Sequence, residues 1–523
     1  MFELGRTFLS AVARKPQALA VIDGDRRLTY AAWCDEVLRA AAGLRQLGLT
    51  NGDHVVVVLQ NRWETATLHW ACQLLGVIVT PVNWRASSDE LDYILQDANA
   101  RAVVYEAVSA AAVADTKTSA GRPRIGVGTA EGASTTFDPL LNTPPLAPHP
   151  LASEGDTSVM LYTSGTTGRG KGVPRSHRAE RAAALAHVAQ NLYAFGESTL
   201  EVMPLYHTMG VRSLLAMTCI NGCFVCLPRF DVITALNLIE REQISTLYLV
   251  PTLYHDLVHH PAFSPERVAS VRKIGYAGAP MTDGLLSQVN DVFQPELFVN
   301  HYGSSEIYTF TIDQRAADKP GSAGRAGLNQ EIRVVDLNVK APEARVPACV
   351  EGQIIVRLDG DEAFMGYWNR PDADDKALHE GWYFTGDTGY VDDGGDLFVT
   401  GRVDDMIISG GENISPVEIE SVLSLHPAVA EVAVVGLSNE RWGQRVTAFV
   451  VRTSAVDHEA LDQYCRASVL ADFKRPREYV FVRAVPKSPV GKILRRKLIA
   501  GEYEREGNRN TETQTGDKET PHE

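Results

Sequence analysis

Residues 163–172, TSGTTGRGKG, have the side chains and spacing of a phosphate-binding loop. Small residues let backbone N–H groups approach phosphate oxygens, and Ser or Thr hydroxyls add further donors. Residues 165–171 also match the first part of a Walker A motif, which ends in Ser or Thr. Gly172 occupies that last position and Pro174 follows, which is a poor start for a helix. The residue types alone leave open an altered Walker A motif or another triphosphate-binding loop.

Four later segments carry further residues that could bind a nucleotide or stabilise anions. HYGSSE ends at Glu306 after a predicted strand, and GWYFTGDTGY places Asp387 in a predicted tight turn between aromatic residues. GRVDDMIISGGENI joins Arg402 to a pair of glycines, and SPVGKILRR contains Lys492 in another predicted turn. Taken singly, each has a structural alternative: Asp387 could cap its turn, Glu306 could be a surface acid, and Lys492 could belong to a solvated basic run.

The elements that must position these residues alternate between strands and helices. β-Branched runs such as HVVVVLQ at 54–60 alternate with helical stretches such as ETATLHWACQLLG at 64–76. This alternation predicts an α/β fold with mainly parallel sheets flanked by helices. Ligands of such sheets bind in loops at the carboxyl ends of strands, and the loop at 163–172 directly follows the apolar run SVMLY.

The length of 523 residues predicts more than one domain. We expect a large N-terminal domain at 1–403, a small α+β domain at 404–503 and a disordered tail at 504–523. Ser415 and Pro416 should begin a helix of the small domain, because Ser is a good N-cap and Pro is favoured in the first turn. Residues 107–153, rich in Ala, Pro, Ser and Thr, are expected to form a mobile surface connection.

The bulk properties of the chain disfavour some classes of partner. A net charge of −15 argues against a general nucleic-acid or membrane-surface binder. No apolar run approaches the roughly 20 residues that span a bilayer, and charges interrupt the N-terminus where a signal peptide would be apolar. We therefore expect a cytoplasmic protein without nucleic-acid or membrane partners, and a homodimer is one open possibility.

The loop at 163–172 and the four later segments together resemble the acyl-adenylate-forming superfamily. This superfamily includes acyl- and aryl-CoA synthetases, peptide-synthetase adenylation domains and firefly luciferase. The resemblance extends from about residue 28 to about residue 498, with the five motifs in the family's order. The segments MPLYH, RWGQRVTA and ADFKRP are most similar to the aryl branch typified by 4-chlorobenzoate–CoA ligases. The resemblance implies a large N-terminal domain that binds ATP and acid, a mobile C-terminal domain, and a phosphate loop that is not a Walker A.

The family reaction implies a role for each matching residue. A carboxylate attacks the α-phosphate of ATP to give acyl-AMP and pyrophosphate, and the thiol of CoA then displaces AMP. The residues implied to bind ATP are Thr163, Ser164, Gly165, Thr166, Thr167, Gly168, Lys171, Gly278, Ala279, His301, Tyr302, Gly303, Ser304, Ser305, Asp387 and Arg402. The implied catalytic residues are Lys492, His207 and Glu306, with Mg²⁺ at Glu306 and a hinge at Asp404. The residues implied to contact CoA are Arg85, Gly410, Gly411, Trp442, Phe473, Arg475 and Arg477.

The acid is expected to bind in a flat and mainly apolar pocket. By resemblance the pocket is lined by Tyr206, His207, Tyr248, Ala277, Gly278, Gly303 and Ile307. The segment PLYH lacks the Asp that amino-acid-activating relatives have there, and no Lys or Arg is expected in the wall. We expect an aromatic acid such as a substituted benzoate. The Ala-rich stretch at 182–186 leaves an alicyclic or medium-chain fatty acid as an alternative, and a stand-alone enzyme that loads a carrier protein is another.

Overall fold

The computed structural model describes residues 2–163, 170–468, 470–487 and 493–506, without the side chains of Asp404 and Asn413. The predicted site residues that lie outside the described residues are Ser164, Gly165, Thr166, Thr167, Gly168 and Lys492. The chain forms two compact units, Met1–Asp404 and Asp405–Glu523. The division between the units therefore follows directly after Asp404.

The first unit contains strands β1 to β21 in the part of the chain that is described. In chain order they are Leu19–Asp23, Arg26–Thr29, His54–Val58, Ile78–Pro81, Ala102–Glu106, Arg124–Val127, Thr135–Thr136, Thr157–Thr163, Lys171–Ser176, Ser198–Glu201, Cys223–Cys226, Thr246–Leu249, Lys273–Tyr276, Leu297–Tyr302, Thr311–Asp313, Ser322–Ala326, Ile332–Val335, Gly352–Arg357, Leu378–His379, Trp382–Val391 and Leu397–Arg402.

Helices α1 to α12 belong to the same unit. They are Leu4–Arg14, Tyr30–Gln46, Trp63–Leu75, Ser88–Asp97, Ala110–Ala114, Phe137–Leu141, His177–Gln190, Thr208–Cys219, Val232–Arg241, Pro251–Val258, Asp283–Phe293 and Pro371–Ala377. Short 3₁₀ turns occupy Ala107–Ser109 and Pro265–Val268, and a third, Val403–Asp405, lies at the junction of the two units. All residues of helix α3 are buried, including the polar side chains of Glu64, His69 and Gln73.

Two sheets form the framework of the first unit. The smaller has the strand order β7-β6-β5-β3-β4-β8-β9. The larger has the order β17-β18-β20-β21-β16-β15-β14-β13-β12-β10-β11-β1-β2, with β19 paired to β20. Strands β3 to β8 of the smaller sheet pair in parallel with one another. In the larger sheet, β1 pairs in parallel with β11, and β10 to β14 pair in parallel with one another. The predicted α/β class is confirmed for these strands.

The part of the larger sheet beyond β14 differs from the predicted parallel arrangement. Strands β14 to β18, β20 and β21 pair antiparallel with one another. Asp387 lies inside the long strand β20 and not in a tight turn, so that prediction was wrong. The glycines that suggested a turn instead mark an irregularity of the strand, where Gly386 has a φ of 76° and the register shifts between Thr388 and Gly389.

The second unit is a small α+β domain, as predicted. Its strands β22 to β26 are Ile407–Ser409, Glu412–Ile414, Val429–Asn439, Gly443–Arg452 and Glu478–Phe481, and its helices α13 to α15 are Pro416–Ser424, His458–Ala467 and Arg495–Ile499. The sheet order is β23-β22-β25-β24, with β26 paired in parallel to β25. Helix α13 follows Ser415 and begins at Pro416, which confirms the predicted helix start.

Two predictions about irregular segments were wrong. Residues 107–153 contain strands β6 and β7, which extend the smaller sheet next to β5, because RIGV supplies a short buried apolar run. The predicted start of the disordered tail, residue 504, lies too early in the chain. The backbone N–H of Arg483 donates to the carbonyl of Glu504, and that of Glu506 donates to Phe481. Arg452 also pairs with Glu506 at 2.8 Å, so residues 504–506 are held against the sheet.

Among the described helices, none combines the length and the apolar character that crossing a membrane requires.

Candidate active site

The loops that carry the predicted site residues lie along one edge of the larger sheet. Strands β10, β12, β13 and β14 are parallel neighbours, so their carboxyl ends meet at that edge. The predicted residues there are Tyr206 and His207 after β10, Tyr248 near the end of β12, Ala277 to Ala279 after β13, and Gly303 to Glu306 after β14. In the smaller sheet, β8 ends at Thr163 and pairs with Lys171, where β9 begins. The predicted phosphate loop therefore joins two paired strand ends.

Asp387 is held between two predicted site residues. The hydroxyl of Tyr302 donates to its Oδ2 at 2.6 Å, and Nη1 of Arg402 lies 3.0 Å from its Oδ1. Arg402 stands opposite Asp387 in the β20–β21 register, which explains the pair. Burial, together with the nearby Asp387 carboxylate, raises the pKa of Tyr302 and keeps its hydroxyl protonated as a donor. The carboxyl group of Asp387 is thus oriented by two neighbouring side chains.

Glu306 is buried in the loop after β14. Its Oε1 accepts a 2.6 Å hydrogen bond from the hydroxyl of Tyr367. Nζ of Lys171 lies 3.8 Å from the centre of the Tyr367 ring. Burial lowers the pKa of Lys171, and the Glu306 carboxylate opposes this shift by favouring the charged form. Tyr367 therefore contacts both the Glu306 carboxyl group and the Lys171 amino group. The sequence analysis did not identify Tyr367.

The loop that carries Glu306 makes a tight turn, and Arg175 holds its backbone. A side chain at Gly303 would lie 2.2 Å from the carbonyl oxygen of Tyr308, so the turn requires glycine. Nη1 of Arg175 donates to the carbonyl of Glu306 at 2.9 Å and to that of Glu362 at 2.6 Å. The same guanidinium pairs through Nε with Glu180 at 2.7 Å, and both side chains are completely buried. This buried pair fixes the backbone from which the Glu306 carboxylate projects.

Tyr248 lies in a small buried cluster at the same edge, together with Met203, Met209, Val250 and Ala277. Its ring lies against Gly275 of the neighbouring strand, where a side chain would come within 3.1 Å of Tyr248 Cδ2. Gly278 has a φ of 84°, a conformation that favours glycine, and a side chain there would approach Val250 at 3.3 Å. The predicted pocket residues Tyr248, Ala277 and Gly278 are therefore brought together.

The segment before α8 places Tyr206 and His207 near this cluster. His207 caps α8, and its Nδ1 accepts a hydrogen bond of 3.4 Å from the backbone N–H of Met209. Burial raises the pKa of Tyr206 to about 12, and the charge of Arg85 opposes this shift. The exposed Arg85 stacks on the ring of Trp84, with 3.8 Å between the guanidinium carbon and the ring centre.

A buried cationic side chain lies next to Tyr248. Arg212 donates from Nη2 to the hydroxyl of Tyr248, and from Nη1 to Oγ1 of Thr309 at 2.5 Å. It lies on α8, five residues after His207, and the mainly apolar sequence of this helix gives no signal for such a contact. The sequence analysis did not identify Arg212.

Two predicted site residues occupy other surroundings than expected. His301 was assigned to ATP, but its ring centre lies 5.1 Å from that of Tyr248 and its side chain is buried. Successive side chains of a strand point to opposite faces, which separates His301 from Tyr302 and its partner Asp387. Ile307, assigned to the acyl pocket, is completely buried in a different cluster with Val173, Phe310 and Phe364, among others. We leave Ile307 out of the proposed pocket.

The residues predicted to contact CoA in the second unit fall into two places. Gly410 and Trp442 are adjacent, because the backbone N–H of Gly410 donates to the carbonyl of Trp442 at 2.8 Å. A side chain at Gly410 would lie 3.1 Å from the Trp442 ring, and Gly411 next to it has a φ of 90°. At the second place, Phe473 is exposed, while Arg475 is buried and paired with Asp462 and Asp472.

The described acidic residues are better suited to bind a metal ion together with a nucleotide than to bind it by protein ligands alone. Among the described residues, no group of three or more His, Cys, Asp or Glu side chains could hold a metal ion. Mg²⁺ typically binds through one or two carboxylates and completes its shell with phosphate oxygens and water. Glu306 offers one such carboxylate at the strand edge, and the ends of β8 and β9 lead into the Gly- and Thr-rich segment.

Comparisons with known proteins agree with this geometry. The model of the AMP-binding enzyme family matches residues 8–368, and the model of the AMP-binding enzyme C-terminal domain matches residues 418–492. The chain is 34% identical to a 4-chlorobenzoate–CoA ligase of Arthrobacter sp., with 93% of this chain and 92% of that one covered. It is 31% identical to a long-chain-fatty-acid–CoA ligase of Mycobacterium tuberculosis, with 94% and 96% covered.

A solved structure shares the overall fold. The ATP-bound MatB of Rhodopseudomonas palustris superposes with a TM-score of 0.86 at 27% identity, covering 96% of this chain and 98% of that one. The family predicted from the sequence motifs is confirmed. Because the first family model alone covers more than half of the chain, and the relatives align over nearly all of it, the chain belongs to the AMP-binding enzyme family.

Proposed function

We propose that the chain is an ATP-dependent carboxylate–CoA ligase that works through an acyl-AMP intermediate. The observation that carries the proposal is a pair of carboxyl groups near the end of β14, Asp387 held by Tyr302 and Glu306 held by Tyr367. Each carboxylate is oriented by a tyrosine hydroxyl, and each has a cation near it. Such preorganised charges and dipoles are what a reaction between two anions, a carboxylate and a triphosphate, requires.

Asp387 is the proposed acceptor for the ribose hydroxyls of ATP. A carboxylate has about four lone-pair positions. Two of them can accept the ribose hydroxyls while the other two stay bonded to Tyr302 and Arg402. The positive charge of Lys171 supports binding of the phosphates by residues 163–168. Lys492 is the proposed cation that bridges the acid carboxylate and the α-phosphate, a role suited to a point charge on a flexible stem.

Glu306 is the proposed protein ligand of Mg²⁺. The ion would neutralise charge on the phosphate oxygens when it is bound with ATP. The hydrogen bond from Tyr367 orients the carboxylate, and the Arg175–Glu180 pair holds the backbone of its loop. Tyr367 and Arg175 are therefore proposed as positioning residues.

The acid is proposed to bind beside Tyr248, with its carboxylate toward His207. The Tyr248 ring has small neighbours, Gly275 and Ala277, which are proposed to leave room for a slot. A rigid aromatic acid loses less rotational freedom on binding than a flexible chain, and ring stacking adds about 0.5–1.5 kcal/mol. These points favour an aromatic acid over an alicyclic or medium-chain one.

The thiol of CoA is proposed to pass the Gly410–Gly411 turn, where no side chains obstruct it. The exposed Trp442 ring beside this turn and the exposed Phe473 offer apolar surfaces for the cofactor. The burial of Arg475 leaves Arg477 as the better candidate to pair with a phosphate of CoA. The hinge at Asp404 is supported by the division of the chain directly after this residue.

A substrate screen tests the proposal. The purified protein is incubated with ATP, Mg²⁺, CoA and one acid at a time: benzoate, 4-substituted benzoates, cinnamates, cyclohexanecarboxylate and C4 to C10 fatty acids. We expect kcat/KM for the best benzoate to exceed that for hexanoate by at least about tenfold, or about 1.4 kcal/mol. If octanoate or cyclohexanecarboxylate is faster than every aromatic acid, the aromatic assignment is wrong and the ligase assignment remains.

A further inference from the structure

Two buried histidines beside Tyr248 are joined by one asparagine. Nδ2 of Asn191 lies 3.0 Å from Nδ1 of His187, and Oδ1 of Asn191 lies 3.1 Å from Nε2 of His301. An amide nitrogen only donates and an amide oxygen only accepts. Nδ1 of His187 is therefore an acceptor, and Nε2 of His301 carries a proton.

The remaining nitrogen of each ring follows from this assignment. Burial lowers the pKa of both histidines well below the ordinary value, so both rings are neutral. His187 then carries its proton on Nε2, while Nδ1 of His301 carries none. Both atoms are buried and have no hydrogen-bond partner among the described residues. The cluster thus holds one unused donor and one unused acceptor.

The two unused atoms lie against the proposed acid site. The ring centres of His187 and His301 are 5.1 Å apart, and they lie 4.9 Å and 5.1 Å from the Tyr248 ring. Gly275 lies beside this cluster without a side chain, since a Cβ there would approach Tyr248 Cδ2 at 3.1 Å and Asn191 Oδ1 at 3.5 Å. Leaving a buried donor and acceptor unmatched costs about 1–3 kcal/mol each, so a group that matches both is favoured.

We propose that the acid carries a hydroxyl group on its ring, which accepts from Nε2 of His187 and donates to Nδ1 of His301. A hydroxyl is the smallest substituent that does both. With hydrogen bonds of about 2.8 Å to each side, one oxygen serves two nitrogens up to roughly 5.6 Å apart. The inference rests on the proposed ligase function, and it makes His187 and His301 determinants of substrate specificity.

The test compares acids of equal size that differ in the hydroxyl group. We measure kcat/KM for 4-hydroxybenzoate against 4-methylbenzoate, and for 3-hydroxybenzoate against 3-methylbenzoate, by CoA-dependent AMP formation. In one of the two pairs the hydroxy acid should be preferred by at least about tenfold, because a site built for a hydroxyl strongly rejects an analogue that lacks it. This comparison uses the unaltered chain and needs no variant to fold.

Variants connect the preference to the two histidines. His187→Phe and His301→Phe should reduce the preference to about twofold or less and leave the methyl acid as a substrate. His69→Phe is the control, because His69 is also buried, on α3, and its Nε2 has no hydrogen-bond partner in the described part of the chain. It should keep the full preference.

Four results would count against the inference or its basis. Preferences below about threefold in both pairs would overturn the inference, as would a preference that survives in both histidine variants. If benzoates in general are active without such a preference, only the hydroxyl assignment fails. If no acid supports AMP formation, the proposed ligase function fails with it.

Discussion

The hydroxyl of Tyr302 donates a 2.6 Å hydrogen bond to Oδ2 of Asp387, across two segments that are far apart in the sequence. Arg402 lies 3.0 Å from the other oxygen of the same carboxylate. The two contacts together fix the orientation of the carboxylate that is proposed to accept the ribose of a nucleotide. Preorganisation of this kind lowers the cost of binding.

Replacing Asp387 by Asn should raise the KM for ATP by about 10- to 100-fold, because a hydrogen bond to a charged group contributes about 1.5–3 kcal/mol. The variant should also lose most of its discrimination between ATP and 2′-deoxy-ATP, measured by acid-dependent AMP formation. Asp392→Asn is the matched control, since Asp392 follows the same strand and pairs with Lys319. Unchanged discrimination in Asp387→Asn would show that this carboxylate does not bind the ribose.

Replacing Glu306 by Gln should raise the Mg²⁺ concentration for half-maximal activity by at least about tenfold, because a neutral amide is a poorer ligand for a hard cation. Tyr367→Phe should produce a smaller shift in the same direction, since it removes only the hydrogen bond that orients the carboxylate. Mg²⁺ titrations at saturating ATP measure both effects. Equal Mg²⁺ dependence in all three proteins would contradict the metal assignment.

Replacing Glu180 by Gln should lower the free energy of unfolding of the first unit by about 3–5 kcal/mol, because it removes the charged partner of the buried Arg175. Urea unfolding followed by tryptophan fluorescence measures the change. Glu154→Gln, which breaks the exposed pair with Arg178, should leave the free energy of unfolding almost unchanged, because solvent screens the pair. Similar losses in both variants would contradict the account of the buried pair.

Replacing Lys492 by Ala should abolish formation of acyl-AMP but leave thioester formation from synthetic acyl-AMP within about tenfold of the unaltered protein. The reason is that its charge is needed only where two anions meet, a contribution of several kcal/mol. Lys497→Ala, in the same basic run and paired with Glu502 at 3.5 Å, is the control. Equal loss in both half-reactions would indicate a structural role for Lys492.

The sequence motifs identified the residues that carry charge but not the residues that hold them. Asp387, Arg402 and Glu306 lie in motifs with a recognisable order, and the structure brings Asp387 and Arg402 into contact. Tyr367 and Arg175 reach Glu306 from segments that the chain order does not connect, because the strand order of the sheets is not readable from local patterns.

The differences between the sequence analysis and the structure have physical reasons of the same kind. His301 and Tyr302 are neighbours in sequence, and the alternation of a strand places them on opposite faces. Arg212 lies on a buried apolar helix, where its partners come from β12 and the loop after β14. Asp387 is preceded by glycine in an aromatic segment, a pattern shared by turns and by irregular strands.

The central claim is that the protein joins an acid to CoA with cleavage of ATP to AMP and pyrophosphate. The most direct measurement follows AMP, pyrophosphate and free thiol in one reaction with ATP, Mg²⁺, CoA and the best acid of the screen. The account predicts that AMP and pyrophosphate appear, and thiol disappears, in equal amounts and only when the acid is present. Release of ADP and phosphate, or acid-dependent AMP formation without loss of the CoA thiol, would contradict it.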